Sequence, residues 1–171
     1  MTIRTTLVCL AAGALATVTG LAFAQKPAPE SQPVLTVELA RREVRMLDDL
    51  YKTSVVLIND TFVEQGASAG DAAREIFAVM RKKGWHDARL IDATGKPMNK
   101  DNVPKHDFEK KAIEKIKAGE AYIDEVVEEG GQKYLRAATV VPVVNNKCVV
   151  CHPGNKVGGV LGAVSYKIPV K

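Results

Sequence analysis

The stretch YIDEVVEEGGQKYLRAATVV, residues 122–141, decides the fold. β-Branched and aromatic residues lie on both sides of Gly130-Gly131, and a glycine pair between two such runs is a hairpin signal. The reading gives strands over 122–128 and 132–141, with Pro142 weakening the end of the second because proline cannot donate to a sheet ladder. Residues 160–168, with Gly162, Ala163 and Ser165, read as a last strand. The C-terminal half is therefore antiparallel sheet.

Working back from the hairpin, the period changes. Residues 105–118 form a helical pattern that buries Phe108, Ala112, Ile113 and Ile116, and Gly119 suits its C-terminal cap. Residues 88–92 are a short strand, followed by the turn sequence DATGKP at 92–97. A helix over 71–83 presents Ala73, Ile76, Phe77 and Met80 and stops at Gly84. A long helix spans about 35–63, with Ala40, Val44, Leu47, Tyr51, Val55, Ile58 and Phe62 at three- and four-residue steps. Helices early and antiparallel strands late indicate an α+β domain, a sheet with helices packed to one side.

Between the last two strands stands Cys148-Val149-Val150-Cys151-His152, a C-x-x-C-H pattern. Two thiols three residues apart can each form a thioether with one vinyl group of a porphyrin, and the histidine can ligate its iron. The pattern predicts one covalent haem c, with Cys148 and Cys151 as attachment sites, His152 as proximal ligand and residues 145–157 as the haem loop. A disulfide, a redox dithiol and a zinc site are the rival readings. Zinc needs four ligands, and no second Cys/His pair stands at zinc-finger spacing. A redox C-x-x-C is expected to open a helix, whereas Pro153 and Gly154 favour a turn.

The N-terminus agrees with an oxidising compartment. Arg4 precedes an apolar run and Ala22-Phe23-Ala24, the pattern of a secretory signal cleaved after Ala24. The run is short and broken by Gly13, Gly20 and threonines, unlike a membrane span. The expected division is a signal peptide at 1–24, a flexible Pro-rich leader at 25–34 and one domain at 35–171, with the product periplasmic or exported. Cys9 leaves with the signal. The chain's net charge of +4 falls to about +3 with Arg4 removed, and no basic run is interleaved with aromatic residues, so nucleic acid is not indicated.

The chain resembles the c-type haem proteins of the DUF3365, or Tll0287-like, family. The matching text is Gly84-Trp85-His86, the run 89–97, Tyr134 to Thr139, Pro142 to Val144, Lys147 to Pro153 and Gly162 to Pro169. The resemblance implies a PAS-like sheet that carries haem, in place of a helical cytochrome. Some relatives are periplasmic sensors of signalling proteins; with no span after the signal and no output domain, this chain resembles the stand-alone kind.

The sixth iron position separates the functions, because two firm protein ligands favour electron transfer and an open position admits a small ligand. Met46, Met80, His86, Met98 and His106 are the available donors, with His86 and Met46 ranked first. His86 can equally be a histidine after a helix cap, and Met46 a flank residue of the long helix, which the resemblance places close to the haem. A distal cysteine, which the family can use, is excluded because the mature chain has no third cysteine. Arg136 and Arg89 lie on strands and are candidate propionate partners, with a solvent-facing position as the alternative. Tyr166 and Tyr134 could close the haem pocket, with ordinary strand packing the favoured reading. The lysines from Lys110 to Lys117 form a solvated face that could also dock an acidic redox partner. No residue identifies an acid–base catalyst, so an enzyme is not expected. Electron transfer or redox sensing is the first expectation, with a redox partner protein. A diatomic-gas (NO or CO) sensor is the alternative, and a thiol–disulfide oxidoreductase the third.

Overall fold

The computed structural model describes residues 34–62, 65–66 and 68–171. The predicted signal peptide, and all of the predicted leader except Val34, lie outside the described residues. Helices α1 (Val37–Phe62) and α2 (Ala69–Lys82) precede strand β1 (Asp87–Asp92). Helix α3 (Asp107–Lys117), strands β2 (Tyr122–Glu129) and β3 (Gln132–Pro142), a short helix α4 (Asn146–Cys151) and strand β4 (Val160–Val170) follow. The elements agree with the sequence pattern to within about two residues at their ends, apart from α4. No described helix is long and apolar enough to cross a membrane.

The four strands form one antiparallel sheet in the order β1-β4-β3-β2. Glu129 pairs with Gln132 across the two-residue turn, where Gly130 and Gly131 both have positive φ, at 61° and 79°. That backbone strains any side chain with a Cβ, which is why the glycine pair announces the hairpin. The last connection leaves the sheet at Pro142 and returns at Val160, so the C-x-x-C-H segment projects from one end of the two central strands.

The sheet is covered on both faces, which corrects the expectation of helices on one side. Leu135, Ala137, Val164, Tyr166, Ile168 and Val170 point to one face and pack with Ala40, Val44 and Tyr51 of α1 and Ala73 and Phe77 of α2. The alternate positions Ile91, Ala138, Ala163 and Ile123 form a second apolar face. They would meet water without α3, whose Phe108, Ala112, Ile113 and Ile116 cover them. Strand residues alternate between faces, so two buried faces require two covering layers. Phe62, assigned to the buried stripe of α1, ends the helix half-exposed, at 51 %.

Gly162 holds the sheet together at the motif end. A Cβ there would overlap the carbonyl of Ile91 on the neighbouring strand. Asp92 therefore pairs closely with Gly162, and Ala93 donates to the Leu161 carbonyl at 3.0 Å.

Candidate cofactor site

The connection between β3 and β4 is closed at its neck. Val143 N–H donates to the Gly159 carbonyl and Gly158 N–H to the Val143 carbonyl, both at 2.8 Å. Beyond the neck the sequence pattern gives an irregular loop, but residues Asn146–Cys151 are a helix. Asn145 is the cause. Its extended backbone starts the helix, and its side-chain Oδ1 accepts from the N–H groups of Lys147 (3.0 Å) and Cys148 (3.3 Å). The helix ends where His152 takes a non-helical conformation and Gly154 adopts positive φ. The C-x-x-C pair thus closes a short helix and does not open one.

A turn of helix places residues three apart on one side. Cys148 and Cys151 therefore share a face, both half-buried and both free thiols. His152 follows at the helix end, its N–H bonded to the Cys148 carbonyl at 3.0 Å and its own carbonyl accepting from Asn155. Burial lowers the imidazole's pKa, partly offset by Asp92, which favours the neutral ring that can ligate a metal. Among the described residues no cluster of three or more His, Cys, Asp and Glu side chains is gathered for a metal ion. The donors of this helix remain two thiols and one imidazole, the set that a vinyl-bearing iron porphyrin completes. The residues fit that group.

Helix α1 braces the segment. Asp60 Oδ1 accepts from the Asn145 amide at 2.8 Å, and its backbone carbonyl accepts from Lys147 Nζ at 2.5 Å. One residue earlier, Asn59 is buried with its Nδ2 unpartnered, a donor left free beside the bracing residue. Val144, Val150 and Val157 of the segment are exposed, at 46 %, 72 % and 50 %, and offer apolar surface for a flat apolar group to cover. The Asn145 cap is legible as an N-cap residue three positions before Cys148. The roles of Asn59 and Asp60 depend on where a distant helix ends, and no local signal gives them.

The other predicted site residues are placed elsewhere. His86 is buried against Tyr51 of α1 and Tyr166 of β4, with Nε2 2.9 Å from the Tyr51 hydroxyl and Nδ1 unpartnered. It precedes Asp87, which pairs with Lys167 at the sheet end opposite the motif. Burial lowers its pKa, with Asp87 opposing. Met80 packs against the core, and Met46 stands exposed on α1 at 63 %. Met98, six residues beyond the end of β1, is 71 % exposed. Arg89 donates to Glu109 (2.5 Å) and to the carbonyls of Asp101 and Val103. Arg136 donates to Glu129 and lies 2.7 Å from His106 Nε2. Both arginines belong to the α3 face of the sheet, set back from the motif, and are held by carboxylates of the chain itself. Tyr166 is core, its hydroxyl donating to Asp48 at 3.1 Å, as strand packing implies.

No curated protein matches the chain. Among solved structures, the chain is similar to the crystal structure of the cyanobacterial heme-protein Tll0287, with a TM-score of 0.61 and 14 % identity. That likeness covers 77 % of this chain and 94 % of the other. At that identity it shows the fold: a four-stranded antiparallel sheet with several helices. The pattern that defines the Tll0287-like family matches residues 25–169. The chain belongs to the Tll0287-like family of haem proteins.

Proposed function

We propose that the protein is an exported, single-haem c-type protein that transfers electrons or senses redox state and is not a catalyst. The observation that carries the proposal is the pair of free thiols on one helical turn, closed by His152 and braced by Asn145 and Asp60. Each thiol would add its sulfur to one vinyl carbon of a porphyrin and its hydrogen to the other, so no oxidant is required. Neutral His152 would offer a ring nitrogen to the iron. Asn145 fixes the turn that presents both sulfurs before attachment. Asp60 ties that turn to α1, limiting its movement and so favouring electron exchange with little reorganisation. The haem supplies one-electron chemistry between ferric and ferrous iron. Arg89 and Arg136, both ion-paired on the α3 face, are set aside as propionate partners. The lysine face of α3 remains the proposed contact for an acidic redox partner.

A second reading, binding of a diatomic gas at the sixth position, draws support from the placement of the donors. His86 and Met80 are held in the core and His106 lies against Arg136, leaving exposed Met98 and Met46 as donors that would have to move onto iron. Absorption spectra of the haem-loaded protein, oxidised and reduced, with and without CO, separate the readings. Sharp low-spin bands that ignore CO support electron transfer with two protein ligands. A clear CO shift supports the gas sensor and removes the first reading.

A further inference from the structure

One flank of α1 joins the C-x-x-C-H segment to a cleft that no other part of the chain uses. Residues 45, 48, 52, 56 and 59 recur at three- and four-residue steps and so share that flank. It begins at a cleft of about 250 Å³ lined by Arg45, Asp48, Asp49, Tyr122 and Thr139. It ends at Asn59, beside the Asp60 that holds Asn145 and Lys147 of the attachment helix. Thr139 pairs with Tyr122 at the motif end of the sheet. It stands four residues before Val143 at the neck, about 13 Å of strand.

The cleft holds an arginine whose charge is uncommitted. Among the described residues Arg41, Arg74, Arg81, Arg89 and Arg136 each pair with a carboxylate, whereas Arg42 and Arg45 do not. Arg42 is exposed and lines no part of the cleft. The guanidinium carbon of Arg45 lies 5.9 Å from the centre of the Tyr122 ring. That ring is fixed in turn, because the Tyr122 hydroxyl donates to Asp124 at 2.8 Å and Arg41 holds Asp124. Arg45 is thus placed on an aromatic face that leaves its N–H groups free to donate. Asp48 does not compete for them: its Oδ2 accepts from Lys52 at 2.6 Å and its Oδ1 from Thr139 and Tyr166. Asp49, exposed one turn further on, is the remaining negative charge and limits the cleft to a single added carboxylate.

We infer that Arg45 anchors one propionate of the haem. The inference rests on the covalent attachment proposed above. Thioethers to Cys148 and Cys151 hold the vinyl-bearing edge of the porphyrin at α4, and the propionates leave the opposite edge. A ring laid along the α1 flank brings one of them to the cleft, where the planar guanidinium can donate two parallel N–H bonds to the carboxylate. Arg89 and Arg136 serve Glu109 and Glu129, and the role falls to an arginine with no carboxylate of its own.

The test labels the propionates alone. Cells fed δ-aminolevulinate with carbon-13 in its carboxyl group yield haem labelled at its two propionate carboxyls. Their shifts are followed against pH in the ferrous protein under CO. In wild type one propionate should titrate well below the other, since an adjacent guanidinium favours the ionised form. Arg45→Gln, at an exposed position, should raise that group's proton affinity about 10-fold, or one pKa unit, and leave the other unmoved. The reduction potential of this variant at neutral pH should fall, because the ionised propionate loses its counter-charge. Arg45→Lys keeps the charge and should recover part of the shift, and Arg42→Gln should have no effect. Propionates that titrate alike in wild type and keep their values in Arg45→Gln, or an equal shift in Arg42→Gln, overturn the inference. Loss of the label on acid-acetone extraction would instead overturn the covalent attachment beneath it.

Discussion

Asn145 makes the positioning of the two cysteines depend on one side chain, and Asn145→Ala measures how much. A six-residue helix has no stability of its own, and its first four N–H groups lack helical partners. Asn145 satisfies two of them, at 3.0 and 3.3 Å, a contribution of about 1 kcal/mol. Its amide also donates to Asp60 at 2.8 Å in an exposed setting, which adds about 1 kcal/mol at most. Losing both costs about 2 kcal/mol, or about a 30-fold rise in the open population. Amide exchange at Lys147, Cys148 and His152 of the haem-loaded protein should accelerate by about that factor, with a matching loss of stability in urea. Asn145→Ser keeps a capping oxygen and gives up the reach to Asp60, so it should lose about half as much. Asn145→Ala within about 0.5 kcal/mol of wild type, or Asn145→Ser as damaging as alanine, would refute the reasoning.

Two further substitutions test the scaffold. Gly162→Ala must separate β1 from β4, because the new methyl overlaps the Ile91 carbonyl; about 3 kcal/mol of stability should be lost, and a urea midpoint like wild type would contradict the close pairing. Glu109→Gln should cost about 3 kcal/mol, since Glu109 is fully buried and its partner Arg89 about one-quarter exposed. Burial opposes the charged form of Glu109, but the Lys105 N–H and Arg89 outweigh it and lower the pKa from 4.5. The carboxylate's contribution is therefore complete above the unfolded pKa and lost as pH falls through the lower folded value. The gap between wild type and Glu109→Gln should narrow on acidification; a gap constant down to strongly acidic pH would sink this account.

The hairpin, α3 and the C-x-x-C-H segment were legible because each rests on local chemistry: a glycine pair, an apolar period, two thiols and an imidazole at fixed spacing. Other features were hidden because they depend on partners distant in sequence. Arg89 on a strand signals that an anion is needed without naming it, and the anion proves to be Glu109, which lies on a helix beside Lys110 and Lys111 and carries no local mark of burial. His86 follows a helix cap as the sequence suggests, but Tyr51, 35 residues away, draws it into the core. The second covering layer was missed for a related reason. Periodicity identifies the apolar stripe of α3 but not the face of the sheet that receives it.

The central claim is covalent attachment of one haem through Cys148 and Cys151, and mass spectrometry after acid-acetone extraction tests it most directly. Protein produced with c-type maturation machinery should retain the mass of one haem. Cys148→Ala and Cys151→Ala should each form no more than one thioether, visible as a shifted pyridine haemochrome band. Complete loss of haem from wild type on extraction, or an unaltered band in both variants, would contradict the claim.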